Sequence, residues 1–270
     1  TSVESDDQGR MIAQDLADKL AQGQGPAIII AQAGHIHSGA FDPFNEIVQI
    51  ASEHDAWVHI DGAFGLWARA VPDLHTCCEG LEGADSWSVD GHKWLQIPYD
   101  SGFAIVKDES AHRRSMSITA SYLVTAEDDG RNPSNYGPEL SRRARGFAVW
   151  AVLQALGRDG IEEMISRHCR CAVHLRGRLE NVPGIRLLND VVLNQVAIAF
   201  GDQKDQHECD RLTLGVIERI RLEDSHVALG ASWKGQAIMR ISIIAQLTDI
   251  EHIDSLADSI VKAWTDVQLT

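Results

Sequence analysis

Lys93 is one of only six lysines in the chain, and Trp87, Trp94 and Leu95 give it apolar neighbours. Such surroundings favour the neutral amine, and a neutral amine is a nucleophile towards aldehydes. Asp61 closes the apolar run Trp57-Val58-His59-Ile60, which puts a carboxylate at a strand end. A protonated ring nitrogen, a metal ion or a structural hydrogen bond would each satisfy it. Two more polar clusters accompany these residues: Gln32-Ala33-Gly34-His35-Ile36-His37-Ser38, and Asp90-Gly91-His92 just before the lysine.

The elements that must position these groups follow from periodicity. Ala27-Ile28-Ile29-Ile30-Ala31 is a continuous apolar run, the pattern of a strand buried on both faces. Asp42-Pro43 predicts a helix start with a capping aspartate, and Phe44, Ile47, Val48 and Ala51 then recur at helical spacing. Residues 57–60 form the next strand, which makes a βαβ unit and hence a parallel sheet. Residues 84–89 and 102–107 predict two further strands. All three polar clusters then fall beyond the carboxyl ends of strands, where open α/β sheets collect their ligands.

Residues 121–138 are polar and aperiodic, which predicts a long mobile loop. A mostly apolar helix over 140–156 is predicted to stop at Gly157. Beyond it the pattern becomes helix, two strands, helix, strand and helix, the signature of a small α+β unit. The predicted organisation is therefore an α/β domain over 1–157 and an α+β domain over 158–270.

Composition narrows the class of protein. The chain has 270 residues, 44% apolar and 23% charged, so it can bury a substantial core. Its 24 basic and 39 acidic side chains leave a net charge of −15. That balance repels phosphate backbones and argues against a nucleic-acid partner. No apolar run approaches the roughly 18 residues that span a bilayer, so no membrane partner is expected. Five cysteines with no C-x-x-C spacing predict reduced thiols, no zinc site and a cytoplasmic location.

At the three clusters the sequence resembles a known family. His59-Ile60-Asp61-Gly62-Ala63-Phe64, Asp90-Gly91-His92-Lys93-Trp94-Leu95 and Pro98-Tyr99-Asp100-Ser101-Gly102 are similar, in order, to the motifs of the group II pyridoxal-phosphate-dependent amino-acid decarboxylases. Gly39-Ala40-Phe41-Asp42-Pro43, Glu139-Leu140-Ser141-Arg142-Arg143 and Met239-Arg240-Ile241-Ser242 extend the likeness to the bacterial branch and over essentially the whole chain.

The resemblance implies part of a fold type I transferase large domain, with a mostly parallel sheet, followed by a small C-terminal domain. It implies pyridoxal 5'-phosphate as cofactor and decarboxylation of an L-amino acid to its amine. Lys93 would form the Schiff base, and Asp61 would hold the ring nitrogen protonated and stabilise the quinonoid. Ala63 would lie under the ring and His92 against the cofactor. Arg240 is the candidate for the substrate carboxylate, and Tyr136, in the loop, for the proton donor. Alternatives stay open: a strand-end cap for Asp61, a buried structural histidine for His92, an ion pair for Arg240 and a wall position for Tyr136.

Relatives also carry a long first half, so a companion chain or segment and a homodimer are expected partners. Two rival readings remain. One is a non-catalytic fragment or partner subunit of such an enzyme. The other is a metal-dependent amidohydrolase using His35 and His37.

Overall fold

The computed structural model describes residues 1–117, 132–202, 205–223 and 228–269. Two four-stranded sheets organise them. The first is built from α1 (Ala13–Gln22), β1 (Ile28–Gln32), α2 (Phe44–Glu53), β2 (Trp57–Asp61), β3 (Ser86–Asp90) and β4 (Gly102–Val106), followed by α3 (Glu109–Met116). Its order is β1-β2-β3-β4, with the first three strands parallel and β4 antiparallel to β3. The second contains α4 (Arg145–Leu179), β5 (Ile185–Leu187), β6 (Gln195–Phe200), α5 (Gln206–Leu222), β7 (Leu229–Trp233), β8 (Gln236–Ser242) and α6 (Ile250–Gln268). Its strands run β5-β6-β8-β7, all antiparallel.

Several expectations change. Asp42 does not cap α2, whose first turn has no side-chain cap. Its carboxylate instead accepts the backbone N–H groups of Met11 and Gln32, both at 2.7 Å, and so pins the amino-terminal segment to the end of β1. The helix predicted to end at Gly157 begins at Arg145 and continues to Leu179. Gly157 is a kink within it, at φ 62° and ψ −173°, a conformation closed to residues with a Cβ. Strand β7 was not predicted. It pairs with β8 through Lys234-Gly235, both at positive φ, which is the backbone of a tight hairpin turn.

β1 is not buried on both faces. Ile29 and Ala31 are 4% and 0% exposed, but Ile28 and Ile30 are 72% and 61% exposed. Parallel register puts Ile28 beside Trp57, Ile30 beside His59 and Gln32 beside Asp61. The bare face of the sheet is thus the face that carries Asp61. The opposite face packs Ile29, Ala31, Val58 and Ile60 with Phe44 and Ile47 of α2.

Helix α4 spans both cores. Ile161, Met164 and Ile165 belong to the first, while Cys171, Ala172, Leu175 and Leu179 belong to the second. Described helices include none long and apolar enough to cross a membrane.

The turn after β2 allows a short 3₁₀ segment (Gly65–Ala70) to pack against the turn after β1. A Cβ on Gly65 would stand 2.2 Å from the Ala33 carbonyl oxygen, so only glycine fits. Gly65→Ala in the full-length protein should lower unfolding free energy by about 2–3 kcal/mol in denaturant titration. A change below about 0.5 kcal/mol would show that this contact is not close.

Candidate active site

Strands β2 and β3 set the site. Asp61 lies in register with Ser88, and hydrogen bonding continues past the strand ends. The Gly62 N–H donates to the Ser88 carbonyl at 2.9 Å, and the Asp90 N–H donates to the Ala63 carbonyl at 2.8 Å. The Asp61–Ala63 turn and the Asp90–Lys93 turn are thereby joined by backbone, with no dependence on side-chain rotamers.

Asp61 Oδ1 accepts the Ala63 N–H at 3.1 Å, while Oδ2 has no partner among the described residues. Below it, His59 is held on both sides. The Ser86 hydroxyl accepts the Trp57 indole N–H at 2.8 Å, which leaves its own proton for His59 Nδ1, also at 2.8 Å. His59 Nε2 faces the Ser88 hydroxyl at 3.4 Å. This histidine is fully occupied in holding β2 to β3.

Lys93 is not in the apolar setting that its neighbours suggest. Trp94 turns inward and is 0% exposed, whereas the Lys93 side chain is 42% exposed. Its Nζ lies 2.9 Å from Asp90 Oδ2 in an ion pair. Asp90 therefore belongs to the site, although its type and position drew no role from the sequence. Its spacing of three residues from Lys93 across a turn was the available signal.

His92 leans the other way. Its Nδ1 meets the Ser101 backbone, 2.7 Å from the carbonyl oxygen and 3.1 Å from the N–H, and its ring stacks on Tyr99 with centroids 4.0 Å apart. Nε2 is 3.6 Å from Asp90 Oδ2. The Tyr99-Asp100 segment is tied down by the start of α4 and the residues before it: Arg145 grips the Asp100 carboxylate through two bonds of 3.0 Å, and Arg143 donates to the Tyr99 carbonyl at 2.9 Å. The Arg145 hydrogen bond holds the Asp100 carboxyl below the usual aspartate range.

Arg240 and Tyr136 are not joined to Asp61 and Lys93 by any described contact. Arg240 sits on β8 opposite Ala197 and Leu229, with Nε buried and unpartnered and no described carboxylate within ion-pair distance. Beside it, His35 and His37 pack on Trp233 with centroids 5.6 and 5.9 Å away. Burial pushes His37 down to about 4, and the charges of His35 and Arg240 add to it. Tyr136 faces α3, where its hydroxyl donates to the Glu109 carboxylate and its ring meets His112 edge-on. Of the predicted loop, residues 121–131 lie outside the described residues.

Sequence reasoning also missed the support beneath Lys93. The buried Trp94 indole N–H donates to His168 Nδ1 on α4 at 2.9 Å, and His168 Nε2 donates to the Ala245 carbonyl at 3.0 Å. Seventy-four residues separate Trp94 from His168, so no local pattern announces the pair.

The fold, a mixed sheet with a lysine and a carboxylate at neighbouring strand ends joined to a small antiparallel unit, is shared with pyridoxal-dependent decarboxylases of known structure. Over 98% of the chain the structure matches the crystal structure of Oryza sativa TDC with PLP and tryptamine, at a TM-score of 0.92 and 20% identity, covering 57% of that chain. Mouse CSAD gives a TM-score of 0.89 at 21% identity, over 97% of this chain and 57% of that one. The pyridoxal-dependent decarboxylase conserved domain matches residues 1–200, and the chain belongs to that family.

Relatives include tryptophan decarboxylase 2 of Oryza sativa subsp. japonica, 27% identical over 90% of this chain and 50% of its own length. Tyrosine decarboxylase 3 of Petroselinum crispum is 29% identical over 87% of this chain and 47% of its own. Histidine decarboxylase of Drosophila melanogaster is 28% identical over 98% and 30%. The chain thus spans about half the length of the first two relatives, and less of the third. The described residues form two sheets of four strands and no eightfold barrel, so the amidohydrolase reading of His35 and His37 fails on fold.

Burial pushes His168 down to about 4, so the folded chain favours the neutral ring. Its contribution to stability is complete above pH 6.5 and is lost as pH falls towards 4, on the order of 3 kcal/mol. In the full-length protein, His168→Asn should flatten the fall in stability across that window. An unchanged slope would contradict the assignment.

Proposed function

We propose that the full-length protein decarboxylates an L-amino acid to its amine and carbon dioxide, with pyridoxal 5'-phosphate as cofactor. One observation carries the reading: an aspartate oxygen without a partner and a primary amine sit on turns joined by backbone at adjacent strand ends. That donor set fits the cofactor. A carboxylate with a free oxygen can accept a pyridinium N–H, and an accessible amine can bond to an aldehyde carbon.

In this reading Lys93 would give up its ion pair with Asp90 and hold the cofactor through its amine. Asp61 pairs with the ring nitrogen through Oδ2, while its bond to the Ala63 N–H fixes the carboxylate plane. Ala63 is small enough to lie under the ring, and His92 borders the cofactor from the Ser101 side. When bound, the cofactor ring draws off the electron pair left on the substrate α-carbon as carbon dioxide departs. Arg240, with no counter-charge among the described residues, is available to the substrate carboxylate. Tyr136 delivers the proton that completes the amine, which requires its hydroxyl to turn away from Glu109.

The same reading divides the chain into a cofactor domain over 1–157 and a small domain over 158–270, and it needs two partners. Ile28 and Ile30 stand bare on the face that carries Asp61, and relatives have about as much chain again. The first half, as segment or companion chain, covers that face and keeps water from the site. A second copy completes a homodimer. Tryptophan, tyrosine and histidine in the names of relatives make ring-bearing amino acids the first substrates to test.

Lys93→Ala in the full-length protein should abolish both turnover and the visible absorbance of bound cofactor; a variant that keeps both sinks the assignment. Tyr136→Phe, assayed for amine, aldehyde and carbon dioxide together, should slow amine formation or divert product to aldehyde. Unchanged amine formation would leave Tyr136 as part of the wall.

A further inference from the structure

Beyond β8 the chain runs through Ile243, Ile244 and Ala245, and three different side chains take the three successive carbonyls. Asn194 Nδ2, next to β6, donates to Ile243 at 2.9 Å. Gln96 Nε2, from the lysine turn, donates to Ile244 at 2.5 Å. His168 Nε2, from α4, donates to Ala245 at 3.0 Å. This strap therefore fastens the second sheet to the lysine turn.

His168 works at both ends of the fastening. An indole N–H can only donate, so the Trp94 bond at 2.9 Å requires an unprotonated Nδ1. The ring proton then sits on Nε2, where Ala245 receives it. Trp94 and His168 are both 0% exposed, so neither bond can be exchanged for one to water. Gln96 adds a second constraint, since it holds a left-handed φ of 53° that a non-glycine residue keeps only when anchored. Its anchor is the same strap.

We propose that His168 is a positioning residue for Lys93, which locks Trp94 to the strap and so ties the lysine turn to the strand bearing Arg240. The inference rests on Lys93 carrying the cofactor. One peptide bond separates Trp94 from Lys93, so any shift of the indole towards a new acceptor moves the point from which the amine reaches out. Ser242 ends β8 one residue before the strap, so Arg240 and Lys93 share one frame. Burial keeps the His168 ring neutral and preserves the bond direction.

The test uses three variants of the full-length protein. His168→Phe retains the volume and removes both polar atoms. His168→Asn offers an acceptor near the position of Nδ1, and His168→Gln offers a donor near that of Nε2. Cofactor affinity is read from visible absorbance, with indole fluorescence and thermal midpoint alongside. The Phe and Gln variants should bind pyridoxal phosphate about tenfold more weakly, and Asn should restore affinity to within about threefold of the parent.

A purely structural histidine would lower all three midpoints without separating Asn from Gln in cofactor affinity, and that result overturns the proposal. Should the Phe variant fail to fold, the Asn and Gln pair decides alone. If Lys93→Ala still shows the cofactor band, the parent reading falls. If it loses the band while all His168 variants bind like the parent, only the present inference falls.

Discussion

The pairing of β2 with β3 is the constraint on which the rest of the molecule depends. With Asp61 opposite Ser88, the carboxylate and the lysine turn emerge at the same end of the sheet. Two backbone bonds beyond the strands then prevent the turns from drifting apart. A slip of one residue would send Asp61 to the packed face and replace it with Ile60 or Gly62. The His59 bridge between Ser86 and Ser88 opposes that slip on the face that carries the site. Fold and chemistry are in this sense one requirement, because the register that buries Val58 and Ile60 also presents Asp61.

The placement of Asp61 and Lys93 at neighbouring strand ends was readable because each lies in a contiguous stretch. Lys93 and Asp61 stand in short ordered motifs, and strand ends in a parallel sheet are predictable places for ligands. What could not be read depends on distance along the chain or on solvent. The apolar run Ile28-Ile29-Ile30 announces a strand but not what covers each face, and one face is bare. Asp42 follows the pattern of a helix cap, yet two N–H groups far from α2 claim its carboxylate. Trp94 and His168 meet only through the crossing of α4. β7 is a short strand defined mainly by its hairpin partner, so it carried little signal by itself.

The position of Asp90 alters the expected chemistry of the lysine. Apolar neighbours in sequence suggested an amine kept neutral by burial; the side chain instead reaches out to a carboxylate. Under the proposed function, covalent capture of an aldehyde would first have to break this ion pair and free the amine of its proton, and Asp90 would hold the side chain in place until then. Its second neighbour is His92 Nε2 at 3.6 Å. Beneath this layer, Trp94, His168 and the strap connect the lysine turn to both cores through α4.

Chemical trapping of the cofactor tests the central claim most directly. The full-length protein is incubated with pyridoxal phosphate, reduced with borohydride, digested and mapped by mass spectrometry. The account predicts a single pyridoxyl mark on Lys93, lost when Lys93 is replaced by alanine. A mark on another lysine with Lys93 unmodified would contradict it.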